Sequence, residues 1–282
     1  VVHAFATLGA GGFSPHPQSI MGYGSPAVEW ICIVFMFLAG ANFALHYRVV
    51  LGRPGDLWRD EEFRAYLGIV LIASALLAWF LWEATPGLGT AIRTALFQVV
   101  SIITTTGFAS TDFQLWDDRA KFVLLVLMFI GGCAGSAAGG PKVVRQLLIA
   151  RYTLLELRRT LHPNAVLPVK FGGRVVPDHV MRAVLVFFLF YLLAFAVCAS
   201  IVSALENDLI TGITASIAAL GNIGPGFNTV GPMASFAPLT SVSKLVLLLA
   251  MWLGRLELMT VLVLLRPEVW RTTSWRRDVS GR

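Results

Sequence analysis

Charge is scarce in this chain. Asp, Glu, Lys and Arg make up 13% of it against 56% hydrophobic residues, and the mean hydropathy is +0.74. A water-soluble globule carries about 25% charged residues, so that class is excluded and a membrane protein is indicated. Cysteine is scarcer still. Cys32, Cys133 and Cys198 each sit inside an apolar run, and an odd number so placed excludes a disulfide framework and leaves inert packing residues. His3, His16, His46, His162 and His179 are scattered at segment ends or in loops, where they are expected to be solvated. They form no His/Cys/Asp metal cluster, and no Ser/His/Asp set stands in a membrane-facing cavity, so enzyme chemistry is not expected. The sequence also has no initiator Met and no signal-peptide n-region, and it opens almost directly on a glycine block. It reads as a piece whose N-terminal part lies upstream.

What is present is apolar length. Runs able to cross a hydrocarbon core of roughly 30 Å fall at about Ala27–Leu45, Tyr66–Trp82, Lys121–Leu155, Met181–Leu205 and Lys244–Leu265. Two further apolar stretches, Leu88–Ile103 and Ile210–Leu220, are too short or too interrupted to span and read as re-entrant helices buried within protein. The expected fold class is therefore an all-α polytopic membrane protein built on repeated hairpins of outer helix, re-entrant helix, extended loop and inner helix. Of the 22 Lys and Arg residues, 17 fall in three connections: Arg48 to Arg64, Lys142 to Arg182 and Arg266 to Arg282. By the positive-inside rule those connections are cytoplasmic. Topology then accounts for the net charge of +6, and no nucleic-acid partner is needed; a basic surface still suits anionic membrane lipid or an acidic partner.

Each re-entrant stretch runs straight into a glycine-centred block, and a third block opens the chain. They are Gly9-Ala10-Gly11-Gly12-Phe13, Thr104-Thr105-Thr106-Gly107-Phe108 and Gly221-Asn222-Ile223-Gly224-Pro225-Gly226. None holds a charge or a catalytic group, so what they offer in quantity is backbone carbonyl oxygen, the ligand a dehydrated cation takes. Gly12, Gly107 and Gly224 align as equivalents, where a positive φ would turn successive carbonyls toward one axis. Taken singly, a block is equally a helix stop or a turn. Asp112, Asp117, Asp118, Glu206 and Asp208 flank the blocks, either as a cation-concentrating mouth or as ordinary solvated loop acids.

The inner helices repeat one another closely. Lys121 to Gly131 aligns without gaps on Lys244 to Gly254 with six of eleven residues identical, and the next residues in register are Gly132 and Arg255, with Gly40 their equivalent in the first inner helix. Eleven residues at 1.5 Å each is about 16 Å, near mid-bilayer. There the Lys121–Leu155 run must break, because Gly131-Gly132-Cys133-Ala134-Gly135-Ser136-Ala137-Ala138-Gly139-Gly140-Pro141 packs five glycines, a serine and a proline into eleven residues. Irregular backbone at that depth is tolerated only where it is buried or lines water; the other reading is a small-residue packing seam. Arg255 at that level needs a cavity, carbonyls or a counter-ion. Glu257, two residues on, points to a nearly opposite helix face. The expectation is that the carbonyls of Gly131 to Gly140 receive the guanidinium and that the two form a constriction beneath the glycine blocks. The alternative is a buried Arg tying two helices together.

Taken together, Gly131 to Arg145, Thr104 to Phe108, Asn222 to Gly226, His162-Pro163-Asn164-Ala165 and Gly254-Arg255-Leu256-Glu257 resemble the Trk-type potassium uptake proteins, in their TrkH branch. The resemblance covers essentially the whole chain. It implies a monomer of four hairpin repeats around one pore, of which this chain would hold the end of repeat two (1–55), repeat three (56–155) and repeat four with the cytoplasmic C-terminus (156–282), without repeat one. It implies K+ held by the backbone carbonyls of Gly9, Ala10, Gly11, Gly12, Thr104, Thr105, Thr106, Gly107, Gly221, Asn222, Ile223 and Gly224. It implies a gate of Arg255 with Gly131, Gly132, Gly135, Ser136, Gly139 and Gly140. It implies no covalent cofactor, a homodimer in the bacterial cytoplasmic membrane, and a cytoplasmic nucleotide-binding regulatory subunit of the TrkA kind docking near Arg151 to Arg174. The chain departs from the family at Gly9-Ala10, where Ser-Thr is more usual, at Ala137-Ala138, and at Pro141. The alternative function is a cation-coupled secondary transporter with discontinuous helices, which should show a buried mid-membrane carboxylate; Glu257 is the one candidate.

Overall fold

The computed structural model describes residues 1–161 and 167–256. The readings that rest on His162 to Ala165, on Glu257 and on the basic residues from Arg266 onward lie outside the described residues. Eleven α-helices dominate the described chain: α1 (Val2–Leu8), α2 (Pro26–Gly40), α3 (Phe43–Val50), α4 (Gly55–Arg59), α5 (Glu61–Leu81), α6 (Leu88–Ile103), α7 (Asp118–Met128), α8 (Val143–Leu161), α9 (Asp178–Glu206), α10 (Leu209–Gly221) and α11 (Ser241–Arg255). One hairpin of two-residue strands, β1 (Lys170–Phe171) and β2 (Arg174–Val175), sits between α8 and α9.

Among the described residues two helices, α5 and α9, are each long and apolar enough to cross a membrane, and α2 and α3, bent by 103° at the break between them, reach that length and apolarity only when taken together. The bend corrects the expectation of one continuous span over Ala27–Leu45. The helix ends at Gly40, a position with no room for a side chain: a Cβ there would lie 2.5 Å from Thr104 Cγ2 and 2.6 Å from the Tyr66 hydroxyl. Asn42 then starts a new helix by accepting the Ala44 amide at 2.8 Å, an N-cap that satisfies one of the orphan first-turn donors. The Lys121–Leu155 run is broken as its glycines predict. α7 stops at Met128, α8 starts at Val143, and the backbone between them is irregular.

The two re-entrant helices form the centre. From Phe97 to Ile103 every residue of α6 is buried, and so is α10 from Thr214 to Gly221. The outer helices show the reverse pattern. Leu71, Ile72 and Trp79 of α5, Leu189 and Leu193 of α9, and Leu245 and Leu248 of α11 are all exposed. An exposed apolar face this extensive is stable only in hydrocarbon. α6 packs between α2 and α5, and α10 packs between α9 and α11 with α7 behind it. The outer ends of α2 and α6 are joined by Arg93 Nε donating to Glu29 Oε2 at 2.8 Å, with both side chains mostly buried. Cys32, Cys133 and Cys198 are buried and unpaired.

Candidate functional site

The three re-entrant helices end in the same way. After α1, α6 and α10 the residues Ala10, Thr105 and Asn222 turn into the left-handed region, at φ 50°, 54° and 55°. The amides of those residues bond back three residues, to Thr7, Ile102 and Ala219. The next amides, Gly11, Thr106 and Ile223, bond back five, to Ala6, Ser101 and Ala218, at 2.8, 3.0 and 2.8 Å. This is the Schellman closure, which satisfies the last helix carbonyls and releases the chain in a new direction. Ala and Thr tolerate that conformation poorly, at roughly 1–2 kcal/mol each. Such strain is held in place by surrounding packing.

Two residues on, Gly12, Gly107 and Gly224 return to positive φ, at 65°, 76° and 108°. At Gly12 and Gly107 the lack of a side chain is compulsory, because the blocks touch in sequence order. A Cβ on Gly12 would stand 1.9 Å from the Thr106 carbonyl oxygen, and one on Gly107 would stand 1.9 Å from that of Ile223. Each glycine thus abuts the carbonyl just before the equivalent glycine of the following block. Gly224 has nothing within 4 Å. Among the described residues, the carbonyls of 9–12, 104–107 and 221–224 accept no hydrogen bond. Thr104, Thr105 and Thr106 are buried, where backbone carbonyls are otherwise paired almost without exception, so their unpaired carbonyls are a feature to be explained; Gly9, Gly11 and Gly224 are exposed.

Bonds beyond the blocks hold them in this order. Met21 N donates to Ala109 O at 3.1 Å. Gln114 and Asn228 exchange two bonds, Asn228 N to Gln114 Oε1 at 2.9 Å and Gln114 Nε2 to Asn228 Oδ1 at 3.0 Å. Asn228 Nδ2 also donates to Asp208 Oδ2 at 3.1 Å. Asp208 accepts from the Thr211 hydroxyl as well, and that bond, with the one from Asn228, holds its carboxyl below the usual range in spite of partial burial. The flanking acids are therefore local caps: Asp112 accepts Gln114 N, Asp117 accepts Asp118 N, and Glu206 accepts Thr240 N. His3 and His16, expected to be solvated separately, are brought together with Tyr23. His3 Nε2 shares a hydrogen bond with Ser14 at 2.9 Å, its Nδ1 shares one with the Tyr23 hydroxyl at 3.1 Å, and the His16 ring packs edge-on to Tyr23.

The loop between α7 and α8 lies directly against the blocks. Gly139 N donates to Thr105 Oγ1 at 2.6 Å, and a Cβ on Gly139 would meet Gly221 O at 2.8 Å. On its other side Cys133 N donates to Gly40 O at 2.9 Å, Ala137 N to Ala39 O at 3.1 Å, and Phe43 N to Gly135 O at 3.0 Å. Gly131, Gly135 and Gly140 take positive φ. The loop therefore contacts the end of α2, the second block and the third block.

Arg255 does not bond to this loop. It is exposed at the end of α11 and makes no hydrogen bond or ion pair among the described residues. Four of the carbonyls expected to receive it have other donors: Gly132 O takes Val143 N, Cys133 O takes Ser136 Oγ, Gly135 O takes Phe43 N and Ala138 O takes Lys142 Nζ. The neighbouring Gly254 makes the close contact instead. A Cβ there would lie 1.9 Å from Leu220 O, and Asn222 Nδ2 donates to Met251 O at 3.2 Å. Sequence reasoning missed Glu62, which is 5% exposed and accepts both Ala134 N at 2.7 Å and Val144 N at 3.1 Å through Oε1. Its one outward signal is an acid in the first turn of a spanning helix.

Short buried helices that end in touching glycine blocks, beside an irregular loop and inside outer helices with exposed apolar faces, define a polytopic membrane protein. The TrkH family profile, described as a cation transport protein, matches residues 1–276, and the chain belongs to that family. It is 39% identical over 273 residues to the Trk system potassium uptake protein TrkH of Escherichia coli K12, covering 95% of this chain and 56% of that protein. It is 32% identical over 274 residues to TrkG of the same organism, covering 96% of this chain and 56% of TrkG. The crystal structure of the potassium transporter TrkH from Vibrio parahaemolyticus superposes with a TM-score of 0.88 at 39% identity, covering 95% of this chain and 58% of that one. The chain thus spans little more than half the length of these relatives.

Proposed function

We propose that this chain forms most of the pore of a potassium uptake protein of the bacterial cytoplasmic membrane, with K+ as its cargo and no covalent cofactor. The observation that carries the reading is the succession of the blocks, Gly12 on Thr106 O and Gly107 on Ile223 O. It makes a curved row of otherwise unbonded carbonyls from segments that share no side-chain chemistry. Carbonyl rings of this kind replace the hydration shell of a dehydrated cation. The filter would comprise Gly9 to Gly12, Thr104 to Gly107 and Gly221 to Gly224. The open face of Gly224 would receive a fourth, equivalent segment from a repeat one outside this chain, with 1–55, 56–155 and 156–282 as the end of repeat two, repeat three and repeat four. The basic connections would face the cytoplasm.

The loop from Gly131 to Gly140 would act as the gate below the filter. Arg255 would oppose cation passage by its charge in the vestibule rather than by bonding to the loop. The protein would work as a homodimer in lipid, with a cytoplasmic regulatory subunit of the TrkA kind on the exposed Arg158, Lys170 and Arg174. The nearby Arg151 and Arg159 are already engaged by Glu61, Glu156 and carbonyls of the β1 region. The reading is tested by reconstituting the full-length parent protein and comparing potassium with sodium flux in wild type and Gly107→Ser. Loss of potassium preference or of flux is expected; unchanged selectivity and flux would overturn the carbonyl filter.

The coupled-transporter reading requires a buried carboxylate free to bind a proton or cation. Glu62 is buried, but its Oε1 is committed to two amides. That speaks for a holding role.

A further inference from the structure

We infer that Glu62 is the latch of the intramembrane loop, a positioning residue that sets how readily the loop leaves the axis; this rests on the loop being the gate. The loop leaves α7 and runs into α8, and along its glycine-rich backbone from Gly131 to Gly140 the buried apolar side chains are those of Cys133 and Ala138. One buried oxygen on another helix, Glu62 Oε1 at the start of α5, accepts amides from both limbs: Ala134 near the departure and Val144 at the return, at 2.7 and 3.1 Å. Both bonds are charge-assisted and shielded from water, which makes them the strongest class of hydrogen bond available to a backbone amide.

The remaining ties each hold one point. Cys133 and Ala137 donate to the end of α2, Gly135 accepts from Phe43, and Gly139 donates to Thr105. The ties to Gly40 and Ala39 are bonds between neutral groups, which are roughly half as strong. Moving the loop aside therefore requires both limbs to leave the same carboxylate. A side chain at position 62 that bonds them less well shifts the loop toward the displaced arrangement. Weakening two charge-assisted bonds to neutral ones corresponds to about a tenfold shift in that equilibrium.

The test uses the full-length parent protein in liposomes without any regulatory subunit, comparing wild type, Glu62→Gln and Glu62→Ala. Potassium flux is one readout. The second is the modification rate of a cysteine placed by Ser136→Cys, with the other cysteines replaced, using a membrane-impermeant thiol reagent from the cytoplasmic side. Glu62→Gln keeps a neutral acceptor and is expected to raise both readouts about tenfold; Glu62→Ala removes the acceptor and is expected to raise them further. If Glu62→Ala does not fold, Glu62→Gln carries the test. Unchanged thiol modification in a Glu62→Gln protein that elutes as wild type overturns the latch, whether flux falls or stays the same. Absence of potassium-selective flux in wild type overturns the pore reading instead, and the thiol rates still decide the latch.

Discussion

At the scale of single residues, the glycine blocks separate conformational from steric demands. Ala10 carries a left-handed φ of 50° without glycine's freedom, so Ala10→Gly should raise stability by about 0.5–1 kcal/mol, read as an upward shift in thermal midpoint in detergent. Gly107 has the opposite constraint. A Cβ there would stand 1.9 Å from Ile223 O, so Gly107→Ala should displace the third block and abolish potassium preference in flux assays even where the protein still assembles. Thr105 joins the two functions because its hydroxyl accepts the Gly139 amide. Thr105→Val keeps the shape and removes the acceptor, leaving a buried amide unsatisfied at a cost of about 1–3 kcal/mol. Thermal unfolding measures that loss, and Thr105→Ser should restore it.

At the scale of elements, the packing around the re-entrant helices depends on a few polar ties between segments remote in sequence. Arg93 and Glu29 join α6 to α2 with both side chains mostly buried. Arg93→Ala strands the carboxylate and should cost about 1.5–3 kcal/mol, measured by thermal unfolding against wild type. Asp208 caps α10 by accepting the Ile210 amide while it holds Asn228. Its carboxyl titrates below the usual carboxylate range when folded. A depressed folded pKa means stability that is fully present above the unfolded value near 3.9 and lost as pH falls through the folded value. Wild type should therefore lose this contribution only below about pH 4, and Asp208→Asn should show a shallower acid dependence there.

These elements also show what the sequence made legible. The five glycines and the proline between Gly131 and Pro141 forbid a continuous helix, and the break follows from local chemistry alone. The equivalence of Gly12, Gly107 and Gly224 was readable from spacing, because each stands at the same offset from the end of an apolar run. The 103° bend after Gly40 was not readable. It falls where Gly40 packs against Tyr66 and Thr104, which are remote in sequence. Glu62 was hidden for the same reason, since its amide partners lie 72 and 82 residues away and an acid in a first helical turn ordinarily interacts with its own helix end. Arg255 was expected to bond the loop, but among the described residues it makes no hydrogen bond or ion pair, and four of the loop's carbonyls, which look free in sequence, already take Lys142, Ser136, Phe43 and Val143.

At the scale of the whole molecule, the successive contacts of the blocks leave one unmatched surface. Gly12 and Gly107 are each closed by the next block, whereas Gly224 meets nothing within 4 Å. If the filter is a ring, the missing neighbour is a fourth block whose carbonyl stands to Gly224 as Ile223 O stands to Gly107. In this chain alone, Gly224→Ala is strained only by its φ of 108°, a cost on the order of 1–3 kcal/mol. In the full-length parent protein the same substitution must also meet a neighbour's carbonyl, and it should then abolish potassium-selective flux as completely as Gly107→Ala does. Measuring both variants side by side in proteoliposomes separates the two cases. Full flux and selectivity in Gly224→Ala, alongside loss in Gly107→Ala, would mean that the row of carbonyls ends at the third block and does not close.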